Sequence, residues 1–266
     1  MSADPAVPTD PAPPPLVSIR HLHKTFGSFA AVQDLTLDVQ RGEILALLGP
    51  NGAGKTTTIR MLMGILSPTS GAATIAGHAC FAERAAVMQH VGYLPDEPMF
   101  HDHLRGGEIV RFCGTMRGMP AAAVRSRLDE LATRLDLDDA LDEYAVNYSM
   151  GMKKKLALVC AMLHRPAVLI LDEPTNGLDP VVTRALLDLV RETAAGGTAV
   201  FYSTHLLEQA ERLCHRVAIL HRGQLAALGT PAALRSTLAP GGSLEDVFFQ
   251  VATGQTGAAP APESGS

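Results

Sequence analysis

Apolar and polar positions along this chain fall into segments of different period. Glu43-Ile-Leu-Ala-Leu-Leu48 is almost continuously apolar, the pattern of a strand covered on both faces, and Ala167-Val-Leu-Ile-Leu171 repeats it. Thr198-Ala-Val-Phe-Tyr202 reads as a further strand. Leu35-Thr-Leu-Asp-Val39 alternates, as a strand with one wet face does. Leu16 to Arg20, Thr74-Ile75 and Val91-Gly-Tyr-Leu94 are shorter strand candidates. His23-Lys-Thr-Phe-Gly27 reads as a turn carrying one aromatic, and Arg41-Gly42 as a turn into the next strand. From Lys55 to Leu66 the apolar residues Ile59, Leu62, Met63 and Leu66 have helical spacing.

From about Leu104 to His164 helical periodicity dominates, with Val124, Leu128, Leu131, Leu135 and Leu137 in phase. Further on, Val217-Ala-Ile-Leu220 and Gln224-Leu-Ala-Ala227 flank Arg222-Gly223 and predict a hairpin. Thr230 before Pro231 is an N-cap followed by proline at the first helical position. Ser243-Leu-Glu-Asp246 resembles a capping box, with Asp246 where Glu or Gln is usual. The helix it opens presents Leu244, Val247, Phe248 and Val251 on one face. The pattern therefore predicts an α/β unit over residues 16–252, interrupted by a helical lobe at about 104–164. No internal repeat is visible, which leaves one such unit per chain.

Composition narrows the function classes. The chain has 266 residues, 47% of them apolar, enough for a large core. A net charge of −5 argues against a nucleic-acid partner, which favours a basic face. Cys80, Cys113, Cys160 and Cys214 are widely separated with no C-x-x-C pair, which points to reduced thiols rather than zinc or a disulfide framework. No apolar run approaches the length of a membrane span, and the N-terminus has neither basic flank nor apolar signal core. Residues 1–15 are proline-rich and 253–266 are rich in Gly, Ala, Pro and Ser; both are expected to be flexible tails.

The strongest chemical signal is Gly49-Pro50-Asn51-Gly52-Ala53-Gly54-Lys55-Thr56-Thr57, which fits G-x-x-x-x-G-K-[ST]. Glycines let successive backbone N–H groups turn inward as a nest for phosphate oxygens. Lys55 then reaches the β- and γ-phosphates, and the Thr56 hydroxyl can ligate Mg²⁺. A buried strand before the loop and a helix after it aim a helix N-terminus at the anion. The apolar strand ending in Asp172-Glu173 is a second nucleotide signal. Asp172 suits Mg²⁺, and Glu173, one residue on, suits polarising an attacking water.

At this point the order of motifs resembles the ATP-binding cassette (ABC) ATPases, over about residues 16–252. The resemblance implies a P-loop NTPase core with an antiparallel β subdomain and an inserted α-helical subdomain. It implies ATP and Mg²⁺ as cofactors and a second cassette closing over each nucleotide. By the same resemblance Phe26 stacks on adenine. Tyr148-Ser149-Met150-Gly151-Met152 corresponds to the signature segment, with methionines where the family has a glycine and a glutamine; Ser149 and the N–H groups near Gly151 would face the γ-phosphate of the partner cassette. Asn176-Gly-Leu-Asp179 resembles the loop that crosses the dimer interface, and His205 the switch histidine. Asp96 stands where the family has a metal-sensing glutamine, and as metal ligand or plain loop acid it stays open. Lys153, Lys154 and Lys155 read as a solvated face.

His101-Asp102-His103 reads as an exposed loop rather than a metal clip, and Met61, Met63, Met116, Met119, Met150 and Met152 as packing filler. The implied function is the ATPase subunit of an exporter. It would work as a dimer, identical or mixed, with separate membrane permease subunits that receive their coupling helices at Tyr93 to about Arg105. It would sit in the cytoplasm, peripheral on the inner face of the membrane. The alternative is a soluble ABC ATPase acting on ribosomes or nucleic acid; the chain shows neither a second cassette nor a basic extension. No Asn-Lys-x-Asp motif supports a GTPase.

Overall fold

The computed structural model describes residues 13–253. Apart from 13–15 and 253, the two stretches expected as tails lie outside the described residues. The chain opens with β1 (Val17–Phe26) and β2 (Phe29–Val39), an antiparallel hairpin turning at Gly27-Ser28. Here the expected turn at His23–Gly27 is corrected, because His23 to Phe26 continue the strand. Register irregularities between Ile19 and Thr25 break the two-residue alternation there, so the hydrophobic pattern fades while the pairing persists.

Next come β3 (Ile44–Leu48) and α1 (Lys55–Leu62). The helix ends before the expected Leu66: Gly64 takes φ 61°, and a Cβ there would lie 2.2 Å from the Cys80 carbonyl oxygen. A short set follows: β4 (Ser70–Ile75), β5 (His78–Ala79), α2 (Arg84–His90) and β6 (Val91–Leu94). The expected helical region is built from α3 (Gly106–Met116), α4 (Ala121–Arg134) and α5 (Met150–Met162). Val124, Leu128, Leu131, Leu135 and Leu137 are all buried, as their spacing predicts.

The rest of the chain is β7 (Val168–Asp172), α6 (Pro180–Ala195), β8 (Ala199–Thr204), α7 (Leu207–Leu213), β9 (Arg216–His221) and β10 (Gln224–Gly229), closed by α8 (Pro231–Leu238) and α9 (Leu244–Thr253). The caps form as read. The Thr230 hydroxyl accepts from Ala233 N at 3.1 Å, and Ser243 N donates to Asp246 Oδ2 at 2.7 Å.

The strands make two sheets, β2-β1-β4-β5 and β10-β9-β3-β8-β7-β6. The first is antiparallel. In the second, neighbours from β9 through β6 run parallel and β10 is an antiparallel edge. β3 shows why its sequence is continuously apolar. Leu45 and Leu47 face a core shared with β1, β2 and α1, while Ile44, Ala46 and Leu48 face a core shared with α4, α5 and α6. Both faces are covered, as parallel sheets require. The methionine reading is corrected in part: Met61 and Met63 are buried, but Met116 and Met150 are 70% and 47% exposed.

Candidate functional site

Parallel pairing determines where the chemistry stands. β7, β8 and β3 are adjacent, so the segments leaving their C-terminal ends are neighbours. Those segments are Asp172-Glu173, His205 and the loop Gly49–Thr57. Ligands of open α/β sheets bind at this edge.

The loop is shaped by glycine. Gly54 takes φ 105°, and a Cβ there would sit 2.5 Å from the Ala31 carbonyl oxygen. Gly52 is also left-handed, at φ 80°. Pro50, Asn51 and Gly52 are exposed, while Gly49, Ala53 and Gly54 are buried. Lys55 is buried, and its Nζ donates to the Gly49 carbonyl at 2.6 Å. Burial lowers its pKa, opposed by Glu173 and Asp172. Thr56 is exposed and Thr57 half-buried at the start of α1.

Asp172 ends β7 and is buried. Burial raises its carboxyl above the usual range, and the charges of Glu173 and Asp96 push the same way. Glu173 adopts φ 45°, a left-handed backbone that glutamate rarely takes. Its N–H donates to the Ser203 carbonyl at 2.9 Å, and its Oε2 lies 2.9 Å from His205 Nδ1. Glu173 and His205 are thus in direct contact. With Nδ1 as the donor, His205 leaves Nε2 free to accept.

Phe26 is 50% exposed at the end of β1, with Lys24 Nζ 5.2 Å from its ring centre. It is a surface ring, not a core one. Ser149 caps α5, its hydroxyl accepting from Met152 N at 3.2 Å. Gly151 follows in the first turn and lies against Leu178: a Cβ there would be 3.6 Å from Leu178 Cδ2. The segments 149–151 and 176–179 are therefore neighbours on one face. Asp179 also caps α6, accepting from Val181 N and Val182 N at 2.9 and 3.0 Å.

The lysine run is a correction. Lys154 is not solvated: its side chain is 1% exposed, and its Nζ donates to the Glu173 carbonyl at 2.8 Å and to Asp96 Oδ1 at 3.4 Å. Lys155 is also largely covered, its Nζ donating to the Asp136 carbonyl at 2.9 Å. Asp96 thus touches Lys154, and Asn176 Nδ2 is 3.4 Å from the same oxygen. Nothing in the run Lys153–Lys155 separates these fates, since burial depends on which loops cover the helix. His101, Asp102 and His103 lie in an exposed loop.

A family model described as ABC transporter matches residues 32–176. The chain is 42% identical over 214 residues to the uncharacterized ABC transporter ATP-binding protein YdbJ of Bacillus subtilis, covering 80% of this chain and 68% of that one. The chain belongs to the ABC transporter family. It is an ATP-binding subunit of that family and an ATPase. A second relative, the probable multidrug ABC transporter ATP-binding protein YbhF of Escherichia coli, is 34% identical over 240 residues, 89% of this cassette and 41% of the relative. A solved ATP-binding subunit of an ABC transporter superposes with a TM-score of 0.85 at 34% identity, covering 89% of this cassette and 99% of that structure. Among the described residues no helix is long and apolar enough to cross a membrane.

Proposed function

We propose that two copies of this cassette enclose ATP between them and that its hydrolysis drives export through separate membrane subunits. The observation that carries the reading is the alignment of the phosphate loop, Asp172-Glu173 and His205 at the ends of three adjacent parallel strands. In this reading the N–H groups of Gly49 to Thr57 and the Lys55 ammonium hold the phosphates. Phe26 lends its exposed face to adenine. Glu173 accepts a proton from the attacking water, and His205 orients that carboxylate. Ser149 and Gly151 of the second copy complete the cage from the N-terminus of α5.

The donor set at the strand ends suits a hard divalent ion. Thr56 offers a hydroxyl and Asp172 a buried carboxylate, both oxygen ligands. When bound, Mg²⁺ would neutralise charge on the transferring phosphoryl group. The residue division follows the same reading: a cassette at 16–252 with a helical lobe at about 104–164.

Export is supported by the similarity to YbhF, a probable multidrug ABC transporter ATP-binding protein, and by the ending Ser243–Phe248, which resembles exporter cassettes. A membrane partner is supported by exposed apolar side chains about the lobe. Met99 is 91% exposed, and Phe112 and Met116, four residues apart on α3, are 59% and 70% exposed. Met99 lies within the segment Tyr93 to Arg105, and α3 begins directly after it. The cassette would then lie peripherally on the inner face of the membrane, without nucleic acid.

Specific ATPase activity measured against chain concentration tests the shared site. It rises with concentration if a second copy completes the site, and a flat profile contradicts that. Fractionation with and without co-expressed membrane subunits tests the output. Membrane association that depends on them is the expected result; co-sedimentation with ribosomes or DNA instead would overturn it.

A further inference from the structure

Among the described residues, the Lys154 ammonium joins three separate segments. It stands on the second turn of α5, 1% exposed, and reaches Asp96 in the loop after β6 and the Glu173 carbonyl after β7. The same carbonyl accepts from Asn176 N at 3.2 Å, and the Asn176 side chain is 3.4 Å from Asp96 Oδ1. An ammonium held away from water is costly unless a counter-charge and hydrogen bonds surround it. Asp96 supplies the charge and Glu173 the carbonyl. The residue so gripped has φ 45° and carries the carboxylate that meets His205. A left-handed glutamate persists only where its surroundings over-determine it, and two donors on its carbonyl do so here.

We propose that Lys154 is a positioning residue of the hydrolytic site, and that its ion pair with Asp96 fixes the backbone from which Glu173 points. The proposal rests on the hydrolytic reading above. It gives the acid at position 96 a definite role. Asp96 is the counter-ion of Lys154, and its charge is directed into the protein rather than toward the metal and phosphates. It also ties the start of α5, which faces the partner copy, to the hydrolytic carboxylate. Movement of that helix would therefore be felt at Glu173.

The test is a cycle of full-length chains: wild type, Lys154→Gln, Asp96→Gln and the double variant, with Lys154→Arg as the conservative control. Each is assayed for kcat, ATP KM and half-saturating Mg²⁺, and for thermal melting. The expected result is that each single Gln variant lowers kcat by about 10- to 100-fold, the cost of displacing a reacting group slightly. ATP KM and the Mg²⁺ requirement stay within about two-fold, because Lys154 touches neither ligand. Lys154→Arg keeps most of kcat. The double variant, with two neutral amides and no stranded charge, loses less than the product of the single losses.

Strict additivity, or an unchanged kcat in Lys154→Gln, would overturn the proposal. So would a large rise in Mg²⁺ requirement confined to Asp96→Gln, which would make Asp96 a metal ligand. Asp96 lies in a partly exposed loop, so its variant reports on the pair even if Lys154→Gln does not fold. A wild-type chain without ATPase activity would count against the hydrolytic reading alone. The pair is then read from melting of the four chains, where coupling supports it and additivity contradicts it.

Discussion

Glu173 illustrates how a site residue can be legible while its support is not. Its position after Asp172, at the end of an apolar run, is a sequence signal. Its φ of 45° and the bonds to its carbonyl are products of packing. Lys154 was invisible for the same reason: three consecutive lysines look solvated, and only the loops around 96 and 173 bury one of them. Lys55 is the simpler case. Replacing it with Ala should weaken ATP binding at least about ten-fold, since a charge-assisted contact to phosphate is lost, and equilibrium titration with a fluorescent ATP analogue checks this. Unaltered affinity would remove Lys55 from the phosphate site. His164 makes a pH prediction. Burial, reinforced by the Arg117 cation, lowers its pKa from 6.5 to about 4, and its Nε2 accepts from Arg117 Nη1 at 2.8 Å. The native state therefore binds fewer protons than the unfolded chain between those values. This contribution to stability is complete above about pH 6.5 and is lost as pH falls through about 4. Melting temperature should decline across that window, and His164→Gln should flatten part of the slope. An identical slope in the variant would place the titration elsewhere.

At the scale of elements, the sequence was most readable where one rule acts alone. β3 and β7 are apolar throughout because both faces are covered, and α4 shows its buried positions at helical spacing. β1 is only partly legible in the sequence because irregular pairing after Ile19 disrupts the alternation. α6 has one local sequence signal, Asp179 before Pro180, an N-cap followed by proline at the first helical position. α2 and α7, seven residues each, are too short for periodicity to stand out. The junction of α5 with β6 depends on Gly92, where a Cβ would lie 2.1 Å from the Ala161 carbonyl oxygen. Neither backbone can yield without separating helix from strand. Gly92→Ala should therefore cost about 1–3 kcal/mol or more, read from urea unfolding. Wild-type stability in this variant would mean that α5 does not pack on β6 so closely.

For the whole molecule, two sheets and the helices around them bring segments distant in sequence to one edge. The α/β class and the helical insertion followed from hydrophobic pattern. The relation of the two sheets did not, because it depends on contacts such as Gln33 N to the Gly223 carbonyl at 2.7 Å, which join residues far apart in the chain. The phosphate loop, Glu173 and His205 belong to one edge, while residues 149–151 and 176–179 share a face beside it. This arrangement gives meaning to a site divided between two copies. The most direct test is the solution mass of Glu173→Gln with and without ATP, at limiting Mg²⁺. Without a carboxylate to take the proton, ATP should bind and persist, and the mass should double when it is added. A chain that saturates with ATP yet keeps its monomeric mass would contradict closure between identical copies.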